Sequence, residues 1–264
     1  MPFPETERVI YRNSPLAEVS VELRFAPILR IDSEVPFLFQ ERIRADFPNY
    51  GIAQPAASLP PNTPPQIRQL ISGFGAPAGP PQHVFDSENR TWKITLARES
   101  LELKTSAYVR WEEFRTRFMA VRSAFEDSYS PGYYFRFGLR YLNVIRRSSL
   151  GLDAGPWSEL LNPYVGGGLA APNIFGEFDT LATQLHCHLE RENCFLTMKT
   201  GIAVAEPSKE KCFCLEGRFH IHDKRSEAVD VTNTLEFFNQ SARRLFRWSI
   251  TDRLHAELGP VRVD

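Results

Sequence analysis

Val19-Ser-Val-Glu-Leu-Arg-Phe25 and Phe135-Arg-Phe-Gly-Leu-Arg-Tyr141 state one pattern twice. In both, apolar and polar side chains alternate with period two, as in a strand that keeps one face dry. Each stretch opens one half of the chain, 1–131 and 132–264, and similar signals follow it in order. In the first half a helix is expected over 34–47, with Ser33 as its N-cap. A proline-rich loop, 54–82, comes next, carrying Pro60-Pro61, Pro64-Pro65 and Pro80-Pro81 and room for a short strand at 66–72. Strands are expected at 83–87, 91–97 and 100–107. Trp111, Phe114, Phe118, Val121 and Phe125 then form one apolar helical stripe.

Pro131-Gly132 breaks the chain before the second half. There the pattern predicts a strand at 133–146, a short helical or looped stretch at 157–164, and a three-strand meander at 180–190, 193–204 and 211–223. A closing helix over 232–258 carries Leu235, Phe238, Ala242, Leu245 and Phe246 on one face, and Asn233 and Glu236 have capping-box spacing. Strand, helix, meander and long helix, used twice, predict an α+β protein: one curved sheet with long helices on one face. Such a fold resembles the two-repeat saddle of the TATA-box-binding-protein-like class. The alternative is a helix-grip domain around a central ligand cavity.

The 264 residues suffice for a large core, and 42% hydrophobic with 20 phenylalanines is the composition of a folded globular protein. A net charge of −1 provides no basic field for nucleic acid or an anionic membrane. No apolar run reaches the roughly 20 residues of a membrane span, and the first residues lack a signal-peptide pattern. With four cysteines, the expectation is a cytoplasmic protein with reduced thiols.

Alternation sorts the strands by face. Glu22, Arg24 and Arg140 are expected on the helix-free side with Gln184, His186, His188, Phe195, Lys199, Cys212, Cys214, Glu216, Arg218, His220 and His222. Leu185, Cys187, Leu196, Met198, Phe213, Leu215 and Phe219 are expected in the core. Two His-x-His pairs on one face suggest a metal centre, since imidazole is a common transition-metal ligand. Hairpin register argues against it: His188 and His220 both fall opposite Phe195, which puts the histidine strands about 9–10 Å apart around a phenyl ring. Cys212-x-Cys214 has no second pair to complete a zinc knot. Arg24 and Arg140 can each grip a carboxylate or phosphate, or else pair with Glu22 and Glu216. Gly166-Gly167-Gly168 matches neither a P-loop nor a dinucleotide fingerprint.

Tyr11-Arg-Asn-Ser-Pro-Leu-Ala-Glu-Val-Ser-Val-Glu-Leu-Arg-Phe25, Phe47-Pro48, Phe137-Gly-Leu-Arg-Tyr-Leu-Asn143 and Ile250-Thr251-Asp252 resemble, in order, the motifs of a sporadically distributed family of uncharacterised prokaryotic proteins of about this length. The resemblance implies an accessory or defence neighbourhood and transfers no catalytic residue. The chain holds no linear catalytic motif such as Gly-x-Ser-x-Gly or His-Glu-x-x-His. The expectation is therefore a non-catalytic binding or assembly protein, with no cofactor, that engages a protein partner or small ligand through Arg24, Arg140, His188, Glu216, Arg218 and His220. The alternatives are a metal-dependent enzyme using His186, His188, His220 and His222, and a nucleic-acid binder.

Overall fold

The computed structural model describes residues 2–53, 82–153, 155–171, 178, 180–205, 207–222 and 230–263, with the side chain of His222 excepted. The first half runs β1 (Val9–Tyr11), β2 (Leu16–Phe25), α1 (Arg30–Ser33), α2 (Phe37–Ile43), β3 (Asn49–Ala53), β4 (Gln82–Asp86), β5 (Trp92–Ala97), β6 (Ser100–Thr105) and α3 (Trp111–Tyr129). The second runs β7 (Tyr134–Ile145), α4 (Pro163–Gly166), β8 (Ala182–His188), β9 (Cys194–Ala205), β10 (Glu210–His222), α5 (Val231–Ser249), α6 (Asp252–Glu257) and β11 (Pro260–Arg262). The protein is mixed α+β. Nine strands make one antiparallel sheet in the order β3-β4-β5-β6-β2-β7-β10-β9-β8, and β1 pairs separately with β11.

The stretches Val19–Phe25 and Phe135–Tyr141 are neighbours at the centre of this sheet. Val21 lies opposite Leu139, and Leu23 opposite Phe137, all four within 1% of full burial. From there the alternation sends odd residues of β2, β7 and β10 into the core. Phe25 packs on Phe125 of α3 with ring centroids 4.7 Å apart, while Phe238 of α5 lies 6.3 Å from Phe137 and 6.2 Å from Phe219. Truncating a buried phenylalanine of this kind costs roughly 3–5 kcal/mol, so these contacts dominate the docking of the helices. Trp111 Nε1 donates to Glu236, which joins α3 to α5.

Four expectations need correction. The helix expected at 34–47 shrinks to α2, Phe37–Ile43, with α1 ending before it, because Val35 precedes a proline and is driven out of helical geometry; Pro36 becomes the N-cap of α2. Ser33 caps nothing, and its hydroxyl donates backwards to the Arg30 carbonyl. The closing helix starts at Val231 under Asp230, whose carboxylate accepts from Asn233 N at 3.0 Å, so Asn233 and Glu236 form no capping box. It also stops at Ser249: Ile250 turns extended to bridge Leu161, and Thr251 caps α6 by accepting from Leu254 N. The strands β1, β3 and β11 had no clear signal, being three to five residues long and not alternating. The loop strand expected at 66–72 lies outside the described residues.

Candidate functional site

Register builds the helix-free face as three rows across the central strands. One row runs Lys104, Ser20, Arg140, Arg218, Thr197, His186. The next runs Glu102, Glu22, Gly138, His220, Phe195, His188, and the third Ser100, Arg24, Arg136. Gly138 is required here, since a Cβ at that position would stand 2.7 Å from the Phe219 carbonyl oxygen.

Most charges on this face pair with one another. Arg24 Nε donates to Glu22 at 2.7 Å, and Arg140 donates to Glu18 and, at 3.1 Å, to Glu216. Arg218 reaches the other Glu216 oxygen at 3.3 Å. Burial pushes the Glu216 carboxyl up, but the Arg140 hydrogen bond and charge, with Arg218 and Lys199 beyond, outweigh it and hold the group below its ordinary value. The carboxyl of Glu102 is pushed up instead, first by burial and, beyond the hydrogen bond from Ser20 and the charge of Lys104, by Glu22 and Glu18. Arg136 differs from the other arginines of the face. It makes no ion pair among the described residues, stands directly opposite Arg24, and is lowered by burial, with Glu22 opposing and Arg218 and Arg24 adding to the effect.

The histidines form an aromatic cluster. His188 and His220 both lie opposite Phe195. The Phe195 ring stacks on His186 and His220, each 5.7 Å away, and lies 4.8 Å from His188; His186 and His220 are themselves 5.9 Å apart. The ring faces are therefore spent on each other. Among the described residues no group of three or more His, Cys, Asp or Glu is placed to hold a metal. Cys212, expected outward, is 1% exposed, and burial pushes its thiol up. Leu185, expected in the core, is 43% exposed because β8 is the edge strand. Gly166-Gly167-Gly168 closes the short helix α4 and the turn after it, with Gly167 at φ +52°.

On the opposite side of the sheet the described residues enclose a cavity of about 370 Å³. It lies between the 6–16 segment that includes β1, the 108–111 approach to α3, the end of β7 and the α5 helix. No family model matches this chain, and no curated protein matches it. Tyr141 is buried beneath the cavity and donates to Asn239 Oδ1 at 2.9 Å, with Tyr108 packed edge-on against it at 5.9 Å. Burial pushes the Tyr108 hydroxyl up to about 12 and drives Tyr141 well above its ordinary value. Both remain protonated donors.

The structure thus joins Arg140, Glu216 and Arg218 in one charged ladder, pairs Arg24 separately with Glu22, and brings His188 and His220 into one aromatic cluster in which His220, expected outward, is only 4% exposed. Two features escaped the sequence reading. Arg136 was legible, since Phe135-Arg-Phe137 gives it the same face as Arg140. The cavity was not, because its walls come from four segments far apart in the chain.

Proposed function

We propose that this is a non-catalytic binding protein whose helix-free sheet face captures an acidic segment of a protein partner. The carrying observation is the opposition of Arg24 and Arg136 on neighbouring strands, with Arg136 lacking any ion pair among the described residues. Glu22 pairs with Arg24 and acts on Arg136 only through its charge, so a further carboxylate laid against Arg136 would relieve the like-charge repulsion that remains between these opposed positions. Arg218, 45% exposed, extends the same positive run. Arg140 serves a different purpose, since two carboxylates, Glu18 and Glu216, occupy its guanidinium, whereas Arg24 and Arg218 each pair with one and are twice as exposed.

The architecture we propose for this function is two similar strand–helix–meander–helix halves joined in a saddle-like sheet. Its support is the strand order, in which each opening strand neighbours the last strand of its own meander: β2 beside β6, and β7 beside β10. The face would then be assembled from equivalent elements of both halves.

The test is fluorescence anisotropy with a labelled hexaglutamate peptide and a hexaglutamine control. Binding is expected for hexaglutamate alone, weakening as salt is raised. The combined Arg24→Gln, Arg136→Gln and Arg218→Gln variant is expected to bind at least about tenfold more weakly, as charge-assisted hydrogen bonds contribute about 1.5–3 kcal/mol each. Equal binding of hexaglutamine, or unchanged affinity in a variant that keeps its thermal midpoint, overturns the proposal.

A further inference from the structure

The cavity on the helix side of the sheet is electrostatically lopsided. Arg8, Arg12, Arg110, Arg243 and Arg247 line it against a single carboxylate, Glu7. Glu7 is occupied by Arg262, Arg8 by Glu112, and Arg247 by Asp252. Arg12, Arg110 and Arg243 make no ion pair among the described residues. Of these three, Arg12 and Arg110 are exposed, whereas Arg243 is half-buried.

Arg243 is the unusual group. Its Nε is closed off from solvent and meets no hydrogen-bond acceptor among the described residues. A nearby carboxylate that acts on it, Glu236, already accepts from Trp111 Nε1. Burial and the Arg8 charge both lower the Arg243 guanidinium from its ordinary value, which is the signature of a cation held without a partner. An Nε closed to water is closed to a ligand oxygen as well, so an anion in the cavity would meet the terminal nitrogens of this half-buried guanidinium, which no ion pair occupies among the described residues.

The remaining walls set what could complete it. Trp111, Tyr11 and Phe246 supply aromatic surface, with Tyr11 and Phe246 packed edge to face at 5.6 Å. Asn143 and Asn239, both 8% exposed, supply neutral polar groups near the buried tyrosines. A volume of about 370 Å³, mostly apolar walls and a few convergent polar groups are the ordinary attributes of a small-molecule site. We infer that this cavity binds a small aryl carboxylate, with Arg243 gripping the carboxylate and the Trp111, Tyr11 and Phe246 rings holding the aromatic body. The site is separate from the open face and stands whether or not that face captures a partner.

The experiment is isothermal titration of the full chain with benzoate, phenylacetate and 3-phenylpropanoate, alongside the matching primary amides and inorganic phosphate. At least one carboxylate is expected to bind with one-to-one stoichiometry and to raise the thermal midpoint, while its amide and phosphate do not. Arg243→Gln is expected to weaken that binding by about 10–100-fold, with Arg243→Lys falling between, because a lysine keeps the charge but loses the fork. Trp111→Leu is expected to weaken the aryl ligand independently. The Arg24, Arg136 and Arg218 variant is expected to leave it unchanged. The inference is overturned if none of the three carboxylates binds, if amides or phosphate bind equally, or if a folded Arg243→Gln retains wild-type affinity.

Discussion

Replacing Arg140 by methionine removes the central cation of the open face while keeping much of its aliphatic volume. Its side chain is 22% exposed, and its partners Glu18 and Glu216 are 27% and 18% exposed, so solvent screens these bonds only in part. Two charge-assisted hydrogen bonds at about 1.5–3 kcal/mol each set an upper bound of roughly 3–6 kcal/mol. Glu18 keeps Lys104 at 3.3 Å and Glu216 keeps Arg218 at 3.3 Å, so neither carboxylate is abandoned. About 2–3 kcal/mol is the expected loss, or about 4–5 °C in the thermal midpoint of a chain of this size. Urea unfolding at neutral pH measures it directly. The acid limb supplies a second reading. Glu216 is held below its ordinary 4.5, so its stabilisation is complete above that value and is lost as pH falls through the lower folded value. The gap between wild type and Arg140→Met should therefore be widest at neutral pH and narrow below about pH 4.5. A loss under about 1 kcal/mol, or a gap that widens in acid, refutes the assignment of Arg140 as the hub of this ladder.

Two further outcomes follow from capping and from the β1–β11 clasp. Asp230→Ala is expected to cost about 1 kcal/mol in urea unfolding, with Asp230→Asn retaining most of the stability, since both side chains can accept from Asn233 N. His255 is lowered from 6.5 by burial and by Arg247, and its neutral ring shares a hydrogen bond between Nδ1 and the Tyr11 hydroxyl at 2.8 Å. That support is present above 6.5 and is lost as pH falls through the lower folded value, so amide exchange in β1, corrected for intrinsic rates, should accelerate on moving from about pH 7.5 to 5. His255→Gln should abolish the difference.

Much of the sheet was legible because its central strands are half-buried. Phe135-Arg-Phe-Gly-Leu-Arg-Tyr141 must alternate to keep Phe137 and Leu139 dry, and the same rule puts Phe195 between His188 and His220. Helix ends were less legible. Pro36 and Ile250 each override a periodic apolar pattern that would otherwise continue, one through backbone sterics and the other through a tertiary bridge to Leu161. The cavity had no linear signature at all. Arg8, Tyr108, Asn143 and Arg243 share a wall only because β1 is clasped to β11 and α5 crosses the end of β7.

The pairing of β2 with β7 also has a temporal side. Residues up to Tyr129 contain β3, β4, β5, β6 and β2, so during synthesis these five strands can close while β2 still has one bare backbone edge. At about 5–20 residues per second, the stretch from Tyr129 to Ile145 takes about 1–3 s to appear. For that interval Val19, Val21 and Leu23 flank an unpaired edge, the arrangement most prone to recruiting a foreign strand. Closure of the protein's sheet is thus a race between β7 and every other extended segment within reach.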